Sequence, residues 1–325
     1  MSTYTERFNK AEELYNNDSF EEALALFEEL WKEASDSDAA LMFANCLKCL
    51  GKEDEATRVY RYITEIDPMW EAPLYNLAGI YYDRKEYEKA IELYSKAADA
   101  DNNNGDAYFK LGECYRKLSN IDKAITYYKK AVEAAENLYL FESLYYLGIC
   151  CLQKENYTSG FEYLAKANEI NPQDPETLFF MGLSSEGLND FDRAIEFYEK
   201  SLSIKPSCDT HLNAGLCYFD KGDFSLAVSH LKTAYELEKD NADALFFYCY
   251  LLTKSKQENE AYTLLKSTEI NFDNDERILD LLVFLALNRR DFDISDAAYE
   301  KLKLISPNCK TVTEYSNKKT KISKK

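Results

Sequence analysis

The chain has 325 residues, 58 of them acidic against 39 basic, for a formal charge of −19. An acidic surface repels phosphate backbones, so no nucleic-acid partner is expected. No apolar run approaches the ~18–20 residues that cross a bilayer. The opening Met1-Ser2-Thr3-Tyr4-Thr5-Glu6-Arg7 has no apolar stretch of the secretion-signal kind. A cytoplasmic protein without a membrane partner is the expectation.

From the first segment on, one period organises the chain. A small residue marks the middle of a first helix at Ala11, Ala44, Ala78, Gly112, Gly148, Gly182, Gly215, Cys249 and Val283. A second series marks a following helix at Ala23, Ala56, Ala90, Ala124, Gly160, Ala194, Ala227, Ala261 and Ser295. Two helices approach closely only where side chains are small, so paired helices should cross at these positions. Steps of 33–36 residues predict nine helix pairs over 4–309, starting near 4, 37, 71, 105, 141, 175, 208, 242 and 276. A fixed period of this length signals stacked units in one elongated solenoid, although length alone would suggest two domains.

The breakers fall in phase with the pairs. Pro68, Pro73, Pro172, Pro175, Pro206 and Pro307 all lie at repeat boundaries, as does the turn-forming run Asn102-Asn103-Asn104-Gly105. No segment alternates with the period of a strand.

On these residues the chain resembles the tetratricopeptide repeat (TPR) family. Its pattern returns as Tyr108-x2-Leu111-Gly112-x2-Tyr115, then Ala124-x3-Tyr128. It returns again as Leu178-x2-Met181-Gly182, then Ala194-x3-Tyr198 and Pro206. Val283, Ser295 and Arg7 depart from it. The resemblance implies an all-α, right-handed superhelical solenoid of antiparallel helix pairs whose first helices line a concave groove.

Nine cysteines and two histidines raise the question of metal. Cys46, Cys114, Cys150 and Cys217 share the tenth place of their repeats, as buried small hydrophobes would. Neither Cys46-x2-Cys49 nor Cys150-Cys151 has the second ligand pair of a zinc site, and only His211 and His230 could add imidazoles. No metal and no cofactor are expected, and reduced thiols suit a cytosol. Residues 310–325 hold six lysines (among them Lys318, Lys319, Lys321, Lys324 and Lys325) against one glutamate, leaving the rest of the chain at −24. That tail is expected to be disordered, with folding back along the acidic surface or contact with an acidic partner as the alternatives.

Groove positions divide the chain. The resemblance implies that places 5, 6, 9 and 12 of each first helix face the concave side. In the first four repeats, places 6 and 9 are Asn9, Glu12, Met42, Asn45, Asn76, Gly79, Lys110 and Glu113, with only Met42 strongly apolar. In the last five they are Tyr146, Ile149, Phe180, Leu183, Asn213, Leu216, Phe247, Tyr250, Leu281 and Phe284, with only Asn213 polar. With Tyr145, Phe179, Phe219 and Phe246 beside them, these residues form a candidate surface for a partner peptide or helix. Tighter winding, or self-association of the C-terminal half, would bury the same residues without a foreign partner.

A second, polar site could gather Lys48, Asn76, Lys110, Arg116 and Lys117 around a peptide carboxylate; the alternative is a solvated face on which these bases balance Asp83, Asp106 and Glu113. Family members that clamp chaperone tails use lysine and asparagine at set places. Here the fifth place is Phe8, Leu41, Tyr75 or Phe109, and the ninth is asparagine only at Asn45, so that clamp is not reproduced.

No phosphate loop, metal pair or nucleophile motif is present, and the carboxylates spread along solvated helix faces. The expectation is a non-catalytic interaction scaffold acting chiefly through repeats 5–9. The alternative is a structural component that self-associates, because helix 293–305 has no evident polar helix after it and its outer Ile294, Ala298 and Ile305 then need cover.

Overall fold

The computed structural model describes residues 3–101, 104–134, 137–268 and 274–323. Among the described residues there are nineteen α-helices and no strand. Asn102 and Asn103 of the turn-forming run, and Lys324 and Lys325 of the tail, lie outside them.

The helices divide into two compact units, Met1–Ile170 and Asn171–Lys325. The first holds α1 (Tyr4–Asn16), α2 (Phe20–Ala34), α3 (Ser37–Cys49), α4 (Glu53–Ile66), α5 (Glu71–Asp83), α6 (Tyr87–Ala100), α7 (Gly105–Lys117), α8 (Ile121–Glu133), α9 (Leu140–Gln153) and α10 (Tyr157–Ile170). The second holds α11 (Pro175–Gly187), α12 (Phe191–Ile204), α13 (Cys208–Asp220), α14 (Phe224–Leu237), α15 (Ala242–Lys254), α16 (Glu258–Ser267), α17 (Glu276–Asn288), α18 (Phe292–Ile305) and α19 (Lys310–Ser323). Within each unit a helix packs on the one before it and the one after it.

Local chemistry starts and stops these helices. Asp36, Asn104, Asp174, Asn241 and Asp275 cap α3, α7, α11, α15 and α17 through side-chain oxygens, and Asn120, Asp190, Asp223 and Asp291 do the same for α8, α12, α14 and α18. Every pair turns through one left-handed residue: Asp18, Gly51, Lys85, Ser119, Glu155, Asn189, Gly222, Lys256 and Arg290. The next amide reaches back to a carbonyl five residues earlier, as in Ser19 N to Leu14 O (2.9 Å) and Lys52 N to Leu47 O (2.8 Å). This is the Schellman closure, and it fixes the short antiparallel turn.

The two small-residue series mark the helix crossings. Their non-glycine members, from Ala11 to Ser295, are fully buried. At Gly112 a Cβ would stand 2.6 Å from the Tyr128 ring, and at Gly182 it would stand 2.4 Å from the Tyr198 ring. A tyrosine of the second helix thus lies flat on the bare backbone of the first.

One expectation is corrected at the C-terminal side. Residues 310–323 form α19, which packs on α17 and α18. Tyr315 explains why lysine content misleads: it stacks on Tyr299 with centroids 4.1 Å apart and shares a 2.8 Å hydrogen bond with Ser295. Lys319 pairs with Asp296 at 2.6 Å. Tyr315 completes a cluster with Leu279, Val283, Leu287, Ala298 and Leu302. The helix α18 therefore does have a polar helix after it. Ser295 and Val283 depart from the family pattern where α19 meets them. Ala298 is buried, Ile294 is half-buried, and Ile305 remains 40% exposed.

Candidate interaction surface on the first helices

In the first unit the polar positions of α3, α5 and α7 build two hydrogen-bonded groups. Asn45 Oδ1 accepts from Tyr60 Oη (2.6 Å) and from Asn76 Nδ2 (3.1 Å). One helix on, Glu113 is 8% exposed and takes both oxygens to Arg116, at 2.9 and 3.1 Å. The Tyr128 and Tyr82 hydroxyls donate to the same carboxylate, Tyr82 from 3.2 Å. Burial alone would raise the Glu113 pKa. The Arg116 guanidinium and the two hydroxyls outweigh it and hold the carboxyl below its ordinary value.

This network settles what Arg116 does. Its charge is spent on Glu113, and its guanidinium lies 4.5 Å from the Tyr146 ring centroid. Arg116 therefore leaves the predicted carboxylate-receiving set. Lys110 stays in it, with Nζ 4.8 Å from the Tyr139 ring, 5.4 Å from Phe109 and 5.9 Å from Tyr82. Lys48 and Lys110 are half-buried and form no ion pair among the described residues, whereas Lys117 is exposed. Sequence reading missed the network; its signal was the Glu113-x2-Arg116 spacing on one helix face.

The ten apolar candidates fall in both units. Tyr145 and Tyr146 belong to the first unit and the other eight to the second. Tyr146 stacks on Tyr128 with centroids 6.1 Å apart, and Tyr145 lies edge-on to Tyr146. In the second unit Phe179 meets Phe180 edge-on and also packs on Tyr198. Phe246 joins Phe247 (5.1 Å) and Tyr250 (5.8 Å), and Tyr250 meets Phe219 (6.5 Å). Arg277, held by Asp243 and Asp275, covers the Phe246 ring at 5.0 Å.

Burial corrects the picture of an open apolar face. Leu281 is 8% exposed and belongs to the core of α14–α17, because its neighbours on α15 close over it. Tyr145, Tyr146, Phe179, Phe180, Phe219, Phe246, Phe247 and Tyr250 are half-buried, leaving Phe284, at 46%, as the openly exposed member. What α13, α15 and α17 offer is an aromatic wall partly covered by its own chain.

The thiols at the tenth place are packing residues. Cys46, Cys114, Cys150 and Cys217 are buried, and burial pushes the first three up to about 12. No helix is long and apolar enough to cross a membrane among the described residues.

Tetratricopeptide repeat models match residues 71–137, 175–208 and 218–283, and a Sel1 repeat model matches residues 138–171. The chain is a TPR protein. This TPR protein is similar to the BBSome complex member BBS4 of Bos taurus, with 29% identity covering 82% of this chain and 51% of that one. It is also similar to the anaphase-promoting complex subunit CDC16 of Saccharomyces cerevisiae, with 23% identity covering 97% of this chain and 39% of that one. The chain thus spans about half, or less, of the length of these curated relatives. Among solved structures it is similar to YrrB, described as a TPR protein with an unusual peptide-binding site. That likeness has a TM-score of 0.53 at 25% identity and covers 57% of this chain and 95% of that one.

Proposed function

We propose that this TPR protein is a non-catalytic scaffold that binds a peptide or helix of a partner protein on the first helices of its second unit. The observation that carries the reading is the aromatic wall of Phe219, Phe246, Phe247 and Tyr250 on α13 and α15, with Phe284 exposed on the following first helix, α17. Half-buried aromatics held by their neighbours supply contact area at little ordering cost, the usual character of interface anchors. The peptide-binding site named for YrrB supports a peptide as ligand. Relatives named as members of the BBSome and the anaphase-promoting complex support a place as one subunit of a larger assembly. Unpaired, buried thiols support a reducing, cytoplasmic setting.

The test is the variant Phe247→Ser/Phe284→Ser, compared with the parent chain in quantitative capture of partners from native extract. Capture should fall at least ~10-fold, the loss of a hot-spot anchor, with helicity unchanged. Undiminished capture by the folded variant overturns the reading. Phe284→Ser alone repeats the test at a residue whose removal costs the core little.

Lys48, Asn76 and Lys110 support a second surface on the first unit, one that receives a carboxylate, because both lysines are half-buried without a carboxylate partner among the described residues. Charge reversal at Lys48 and Lys110 should weaken capture of acidic partners only. Self-association through the C-terminal half would have to use the aromatic wall itself, because α19 packs on the apolar residues of α17 and α18.

A further inference from the structure

The chain's only two histidines lie 19 residues apart in sequence and touch in space. His211 sits on α13 and His230 on α14, with their Nδ1 atoms 3.1 Å apart. The equivalent two places in the other repeats from the second to the ninth are apolar in both members, as in Leu74 and Leu93, Tyr108 and Tyr127, or Leu245 and Leu264. The seventh repeat replaces both halves of one packing pair at once. A single histidine there would leave a buried ring nitrogen without a partner.

The surroundings orient the pair. His230 Nε2 faces Glu199 Oε1 at 3.2 Å, and the Tyr218 hydroxyl donates to the same oxygen at 3.2 Å. The carboxylate therefore holds the His230 proton on Nε2 and leaves its Nδ1 lone pair free to accept. His211 donates its own Nδ1 proton to it. Burial lowers the pKa of His211, with the neighbouring ring adding to it, and burial lowers that of His230 against the pull of Glu199.

We propose that His211 and His230 form a two-histidine site for a divalent transition-metal ion of the zinc class, with Glu199 as the carboxylate that orients His230. Two nitrogens bound to one tetrahedral zinc at ~2.0–2.1 Å stand about 3.3 Å apart, close to the separation found. The carboxylate–histidine–metal relay is the usual support behind an imidazole ligand. Binding moves the His211 proton from Nδ1 to Nε2, so both Nδ1 lone pairs meet the ion and no proton is released. No third histidine, cysteine or carboxylate joins the pair among the described residues, so water completes the shell.

The experiment uses the full chain with its cysteines kept reduced, titrated with zinc chloride at pH 7. The imidazole nitrogen signals are read by NMR, where only two rings contribute. One equivalent should shift the Nδ1 signals of both rings together and raise the melting temperature. The variant His211→Leu/His230→Leu restores the apolar pair of neighbouring repeats and should fold but lose that stabilisation. Glu199→Gln should keep the site with ~10–100-fold weaker affinity. Imidazole signals unmoved at millimolar zinc, or equal stabilisation of the double-leucine variant, would overturn the proposal.

Discussion

Glu155 adopts φ = 57° at the turn between α9 and α10, a conformation that costs an L-residue about 1 kcal/mol. Seven of the nine pair turns carry such a non-glycine residue. Glu155→Gly should therefore raise the urea midpoint by the equivalent of ~0.5–1 kcal/mol. The opposite sign belongs to Gly182→Ala, which drives a methyl into the Tyr198 ring and should cost ~1–3 kcal/mol in the same assay. Glu113 adds a pH dependence. Its folded-state pKa is depressed below the unfolded ~4.3, so its contribution is present above that value and is lost as pH falls through the folded value. Glu113→Gln should cost ~3–5 kcal/mol at pH 7, because it leaves Arg116 half-buried beside an amide. It should also flatten the acid limb of a stability-versus-pH curve measured by denaturant unfolding. The crossing glycines were legible from spacing alone. Glu113 was not, because a carboxylate facing water and one held by three donors read alike in sequence.

At the scale of the element, α19 changes the account most. Four lysines in it spoke for solvation, yet Tyr315, Val312 and Ile322 place an apolar stripe on one helical face. In a stack of pairs each helix is stabilised mainly by its neighbours, so the last pair depends on whatever follows it. Ending the chain after Asn308 should lower amide protection in α17 and α18 by hydrogen exchange while α1–α6 keep theirs. Tyr315→Ala alone should cost about 3 kcal/mol, the usual loss for a buried ring. Unchanged protection in α17 and α18 would show α19 to be a passive passenger.

For the whole molecule, the same helix bears on oligomeric state. With α17 and α18 covered, light scattering should give the mass of one chain across a tenfold range of concentration. The chain ended after Asn308 exposes Val283, Leu287 and Ala298 and should associate as concentration rises. A parent chain that dimerises would put self-association ahead of the scaffold reading. The candidate surface was only half legible at this scale. Groove places singled out the first helices of the last five repeats as more apolar than those before them. Whether Leu281 meets solvent or the core depends on how closely α15 and α17 approach, and period counting carries no such distance.

The sequence by itself determined the repeat, the helix pairing and the crossing points. These follow from a 33–36-residue recurrence of small residues, and local sterics act the same way in every repeat. Only the tertiary structure decided which side chains are spoken for. Arg116 is taken by Glu113, Leu281 by the core and Tyr315 by Ser295 and Tyr299, while His211 is set against His230. All but the Arg116–Glu113 pair, which lies along α7, are meetings between different helices, and each outcome depends on distances and burial set by packing.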